Sequence, residues 1–178
     1  MIELIVLTPD EWPQWRALRL RALTEAPYAF GSRIEDWQDA DEARWRQRLG
    51  LTGSYNLIAL LDGRPAGMAS GVPAQEEGAA ELISMWVAPE SRGRGVGDAL
   101  IAAVAQWASA LGAGELRLDV AAGNPRAIAL YVRHGFVDNG PSLAACERAM
   151  VKVLAPVLSQ PEDEGGQCAS GPSHSAGP

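Results

Sequence analysis

The apolar positions change their period along the chain, and that change predicts the elements. Residues 2–7, IELIVL, form a short apolar run and read as a strand. Thr8, Pro9 and Glu11 follow in the spacing of a capping box with proline at the first helical position. Trp12, Trp15, Leu18 or Arg19, and Leu23 then recur at helical spacing. A loop, TEAPYAFGS, precedes a second expected helix within 35–50, carried by Trp37, Ala40 or Asp41, Trp45 and Leu49, with Gly50 as its stop.

Beyond residue 54 the pattern turns to strands. Two apolar runs joined by Asp62-Gly63 predict a hairpin. AELISMWV, residues 80–87, predicts a third strand of this group. A helix is expected from Val96 to Leu111, with Val96, Leu100, Val104, Trp107 and Leu111 on one face and Gly112 and Gly114 ending it. ELRLDVAA predicts another strand, and 123–135 a shorter helix opened by Asn124-Pro125 and closed by Gly135. FVDNG reads as a turn, and CERAMVKVL as a last strand. The order is β-α-α-β-β-β-α-β-α-β. Its strand-helix-strand unit around Val96–Leu111 predicts a parallel pair within an otherwise antiparallel, mixed sheet.

Residues 159–178 contain eleven Gly, Pro or Ser and no large aliphatic or aromatic residue. Such a segment buries too little to offset its ordering entropy, so disorder is expected from 157 onward, with one domain over 1–156.

Composition narrows the function classes. The chain is 47% hydrophobic, enough for a real core, and its net charge of −7 argues against a nucleic-acid binder. The acidity is compatible with a cationic partner but is too common to point to one. Cys146 and Cys168 have no metal-ligand spacing, and His134 and His174 suggest no metal either. The first residues lack a basic stretch and a long apolar core, and no run reaches ~18 apolar residues. The expectation is a cytoplasmic protein with no membrane partner.

The chemistry concentrates at Arg92-Gly93-Arg94-Gly95-Val96-Gly97, between a strand and a helix. Free amides of a glycine-rich loop and a helix's first turn, together with the helix dipole, make an anion site. Arg92 and Arg94 add charge and forked donors, and a pyrophosphate suits the place. No Lys-Ser or Lys-Thr follows these glycines, so the loop is not a Walker A motif, and Asp98 stands where the dinucleotide fingerprint needs glycine.

SRGRGVGDAL resembles the [QR]-x-x-G-x-[GA] motif of the GNAT superfamily of acetyl-CoA-dependent N-acetyltransferases, with Arg92, Gly95 and Gly97 at its defining positions. NPRAIALYVRHGF is similar to the superfamily's second signature, N-x-x-A-x-x-x-Y-x-x-x-G-F, through Asn124, Ala127, Tyr131, Gly135 and Phe136. The resemblance covers roughly residues 2–154. It implies the α/β (α+β) GNAT fold, a mixed, mostly antiparallel twisted sheet of about six or seven strands with about four flanking helices.

What the resemblance implies for function is a direct reaction in a ternary complex, in which an amine attacks the thioester of acetyl-CoA. The amides from Gly93 to Asp98 would hold the pyrophosphate. Met85, Trp86 and Val87 would pair with the pantetheine arm as an added strand does. In the family a bulge there splays two strands apart, and the Met85 amide would face the thioester oxygen. Tyr131 would protonate the leaving thiolate. Glu81 would take the amine's proton, with Asp119, Glu35, Asp36 or a water chain as competitors. Asn124 would cap its helix, bond the pantetheine or a water, or do both. Tyr28, Phe30, Glu35, Asp36 and Trp37 would supply an acceptor pocket suited to an organic amine. A small-molecule amine is the leading acceptor, a protein N-terminus or lysine an alternative, and a non-catalytic acyl-CoA sensor a third reading. Homodimers are common in the superfamily.

Overall fold

Both faces of the sheet are apolar, and each is covered by its own pair of helices. The computed structural model describes residues 1–155. The strands are β1 (Ile2–Leu7), β2 (Tyr55–Leu61), β3 (Arg64–Pro73), β4 (Ala79–Val87), β5 (Glu115–Ala121), β6 (Val137–Pro141) and β7 (Glu147–Val153). The helices are α1 (Trp12–Glu25), α2 (Glu42–Leu49), α3 (Val96–Ala110) and α4 (Pro125–Arg133). The sheet order is β1-β2-β3-β4-β5-β7-β6. Among the described strands only β4 and β5 pair in parallel, as the α3 crossover requires.

Period-2 alternation divides the core in two. Leu57, Ala59 and Leu61 of β2 pack under α3 and α4 with Leu82, Leu100, Ile101, Val104, Leu116, Tyr131 and Phe136. Ile58 of the same strand faces the other way and joins Trp15, Leu18, Trp45, Leu49, Met68 and Trp86 under α1 and α2. No helix among the described residues is long and apolar enough to cross a membrane.

The hairpin turn falls at Asp62 and Gly63, both with positive φ. Thr8 holds Glu11 as the spacing predicted: its amide and its hydroxyl donate to Glu11 Oε2 at 2.5 and 2.7 Å. A 3-10 turn over Pro9–Glu11 then leads into α1.

Three expectations are corrected. The second helix starts only at Glu42, where the Asp41 side chain accepts from the Arg44 amide at 2.9 Å, and Ile34–Asp36 forms a separate 3-10 turn. Leu111 lies past the end of α3 and is exposed. Residues 137–141 are a strand, not a turn. β6 is an edge strand, almost wholly exposed and closed by proline, so it lacks the apolar alternation that marks the inner strands. The tail expected to be disordered lies outside the described residues.

One close approach fixes how α3 lies on the sheet. A Cβ at Gly71 on β3 would sit 2.4 Å from Trp107 Cζ3. Trp107 is itself stacked on Tyr55, with ring centroids 5.7 Å apart. Gly71→Ala is therefore expected to lower unfolding stability by about 2 kcal/mol, the cost of overpacking. Urea denaturation checks this, and an unchanged midpoint would show that the indole moves aside freely.

Candidate active site

The site begins with an extra residue in β4. Ile83 pairs with Ser70 and Trp86 with Met68, so Ser84 and Met85 together oppose the single residue Ala69. Ser84 takes a positive φ of 54° to make this bulge, a costly conformation for a residue with a side chain. Arg48 of α2 braces it: its Nη2 donates to Ser84 Oγ and Ser70 Oγ, each at 3.1 Å, and its Nη1 to Asn56 Oδ1 at 3.2 Å.

The bulge separates the parallel strands. β4 and β5 pair only at Ala79–Glu81 with Glu115–Arg117 and part beyond that point. A cavity of about 450 Å³ opens there. Its walls include Glu81, Ser84 and Met85 of β4, Asp119 of β5, Tyr131 of α4, and Phe30 and Trp37 from the segment between α1 and α2.

Tyr131 is 6% exposed and meets Phe136 edge-on, with centroids 5.7 Å apart. Its hydroxyl forms no hydrogen bond among the described residues. Burial pushes its phenol well above the ordinary tyrosine range, so it stays protonated at neutral pH. Glu81 and Asp119 are both exposed residues of the cavity wall.

At the end of β4 the chain passes through a 3-10 turn, Pro89–Ser91, into the glycine-rich loop. Gly93 and Gly95 have φ of 74° and 85°, which glycine alone adopts at little cost. Gly95 is the N-cap of α3, and its carbonyl accepts from the Ala99 amide at 3.0 Å. The amides of Gly93, Arg94, Gly95, Val96, Gly97 and Asp98 donate to nothing among the described residues. Six consecutive unpartnered donors at a helix N-terminus fit an oxyanion with several oxygens, as a diphosphate has.

The two arginines are placed differently from the expectation. Arg92 donates to the Val87 carbonyl at 3.1 Å and to Glu25 of α1 at 2.8 Å. Arg94 pairs with Asp62 at 3.0 Å. Their guanidiniums brace the loop against its neighbours, because those acceptors lie within reach of the long side chains. The donors left open in the loop are thus main-chain amides. Asp98 faces away as well, accepting from Arg133 at 2.6 Å and contacting His134 Nε2 at 2.8 Å, and these partners hold its carboxyl below the usual range.

Other expected residues separate into two groups. Phe30 and Trp37 line the cavity, but Tyr28 and Glu35 do not. Tyr28 is exposed, and Glu35 pairs with Arg33 at 3.5 Å on the surface. Asp36 accepts from the Arg33 amide at 3.0 Å and closes a local turn. Trp86 turns into the core under α1, its indole N–H donating to Glu25 at 2.9 Å, so only its backbone and that of Val87 edge the slot. Asn124 accepts from the Ala127 amide at 3.2 Å and caps α4.

The sequence reading missed Arg19 and Arg48, which also line the cavity. Arg19 occupies a helical position between Trp15 and Leu23, and an arginine in an apolar stripe was the available signal.

A model of the Acetyltransferase (GNAT) family matches residues 12–136, which include the bulged strand, the glycine loop and Tyr131. The chain belongs to the GNAT acetyltransferase family. Among relatives of the family, a mycothiol acetyltransferase of Clavibacter michiganensis subsp. michiganensis is 34% identical over 131 residues, 74% of this chain and 41% of that relative. The chain therefore spans less than half the length of the curated relatives it matches. Among solved structures, a GNAT-family acetyltransferase from Streptococcus pneumoniae superposes with TM-score 0.71 at 20% identity, covering 87% of this chain and 100% of that one. The PaiA N-acetyltransferase of Thermoplasma acidophilum, solved with coenzyme A, gives TM-score 0.69 at 19% identity, covering 86% and 99%. These two likenesses establish the shared GNAT fold.

Proposed function

We propose that residues 1–156 form an N-acetyltransferase domain that moves the acetyl group of acetyl-CoA to the primary amine of a small molecule, by direct attack in a ternary complex. The observation that carries this reading is the continuity of six open amides with a parted strand pair and a cavity holding Met85 and Tyr131.

The loop amides from Gly93 to Asp98 receive the diphosphate. The free edge of β4 from Met85 to Val87 bonds the pantetheine amides as a neighbouring strand would. The Met85 amide, at the bulge, donates to the thioester oxygen as negative charge grows there. The amine nitrogen forms its bond to the carbonyl carbon, the carbon–sulfur bond breaks, and the sulfur departs with the bonding electron pair. Tyr131 supplies its hydroxyl proton to that sulfur and is reprotonated by the second proton that the nitrogen sheds as the amide forms. Glu81, at the last paired position of β4 and β5, takes the proton that the ammonium must lose, directly or through water. Asn124 keeps α4 capped and so holds Tyr131 in place.

A small acceptor is favoured because the segment between α1 and α2 contributes Phe30 and Trp37 to the cavity wall, over a volume of about 450 Å³. A thiol-release assay over amines and peptides tests the reading. Turnover of small amines is the expected result, and acetyl-CoA binding with no turnover on any amine or peptide would overturn it. Glu81→Gln is expected to lower kcat/KM about 10²-fold at neutral pH, within the usual range for losing a general base. An unchanged kcat/KM excludes Glu81 as that base.

A further inference from the structure

Arg19 and Arg48 are the least explained groups of the molecule. Arg19 of α1 is 8% exposed, with its guanidinium 4.6 Å from the centroid of the Phe30 ring. Its Nη1 is fully buried and has no hydrogen-bond partner. Arg48 of α2 lies 5.3 Å from the centre of the Trp15 ring and donates only to uncharged oxygens, those of Asn56, Ser70 and Ser84. Neither forms an ion pair among the described residues. Both line the cavity.

Buried arginines are almost always paired, since an unaccompanied charge loses its hydration with nothing in return. Here a buried arginine and a half-buried one stand in one cavity. Burial lowers the proton affinity of each to about 10, and the charge of Arg48 adds to the effect on Arg19. Both still carry their charge at neutral pH. Nor does the cavity's own acid answer them: Glu81, Asp119 and Glu147 come from the strands, and none lies within ion-pair distance of either guanidinium. Arg117, the cavity's third arginine, is paired with Glu76 and Glu115, so Arg19 and Arg48 are the lining cations left without an acid among the described residues.

We propose that the acceptor is an amine that also bears an oxyanion, which Arg19 and Arg48 receive while the amine faces Glu81 and Met85. The inference rests on the cavity being the acceptor's seat. Arg19 lines the cavity with no hydrogen bond of its own among the described residues, and Arg48 adds charge near it while its own hydrogen bonds hold the bulge. Carboxylate, sulfonate and phosphate share this chemistry. An amino acid is the simplest molecule with both ends.

The test compares matched acceptors on the full chain: α-amino acids and short ω-amino acids against their amides, and taurine and O-phosphoethanolamine against ethanolamine. The anionic member of at least one pair is expected to have a kcat/KM about 10²-fold higher, and the responding arm identifies the oxyanion. In Arg19→Met that anionic-to-neutral ratio is expected to collapse toward one, and Arg19→Lys to restore part of it. The melting temperature of Arg19→Met is expected to hold or rise, because an unpaired buried charge has been removed. Neutral amines acetylated as well as anionic ones, or a ratio that Arg19→Met leaves intact, would overturn the inference. If no amine is acetylated, the proposed reaction fails on its own, and calorimetry still decides this point. Binding of a matching amine-free carboxylate, sulfonate or phosphate, lost in Arg19→Met, would uphold it, and binding of none of the three to the unmodified chain would overturn it.

Discussion

Tyr131→Phe is expected to lower kcat about 10²-fold while leaving acetyl-CoA affinity almost unchanged, the lower end of what a positioned general acid contributes. The phenylalanine ring keeps the edge contact with Phe136 and the place in the core under α4, so only the hydroxyl is lost. Tyr131 lines the cavity and its hydroxyl has no hydrogen-bond partner among the described residues, so removing it breaks no internal bond. Burial raises its pKa, which keeps the proton on oxygen to higher pH than in a free tyrosine. Phenol ionisation is therefore expected to produce no fall in kcat below about pH 10. Stopped-flow acetyl transfer and calorimetry with acetyl-CoA measure the two quantities separately. An unchanged kcat would remove Tyr131 from the chemistry and leave it as a packing residue.

Gly95→Val is expected to weaken acetyl-CoA binding about 10²-fold, equivalent to one or two hydrogen bonds to a charged group. Space is not the obstacle: a Cβ at Gly95 would meet only Ile2 Cδ1, at an ordinary 3.5 Å. The obstacle is the φ of 85°, which a β-branched residue adopts only with strain. Relieving that strain rotates the peptide at the start of α3 and turns the neighbouring amides off a common target. The thermal midpoint of the variant shows whether the fold survives. A folded Gly95→Val that binds acetyl-CoA as well as the parent would mean that the loop amides do not hold it.

Much of the fold was legible because its signals are local. Asp62-Gly63 specifies its turn through positive φ at both residues, and the Val96–Ala110 stripe with flanking strands forces the one parallel pair. The glycine loop was legible for the same reason, since positive φ at Gly93 and Gly95 writes itself into the sequence. What escaped depends on distant partners. Nothing in PESRGRG says that Arg92 reaches Glu25 or that Arg94 reaches Asp62, separations of 67 and 32 residues. Ser84 carries no mark of a bulge, because the register with β3 decides it. Arg48 reads as one more polar residue of a helix rich in arginine, and only the fold turns it inward beneath Ser84. Tyr28 and Glu35 were sensible choices by composition, but the turn at Ile34–Asp36 points their segment so that Phe30 and Trp37 reach the cavity instead. β6 was hidden by its exposure at the sheet's edge.

Hydrogen–deuterium exchange with and without acetyl-CoA tests the seat of the diphosphate most directly. In the free protein the amides of Gly93 to Asp98 have no acceptor and are expected to exchange fast, whereas Ala99, already bonded to Gly95, is slower. Saturating acetyl-CoA is expected to slow exchange at several of the six by ~10-fold or more, as new hydrogen bonds to the ligand do. Acetyl-CoA that binds by calorimetry yet leaves all six amides at their free rates would contradict the account.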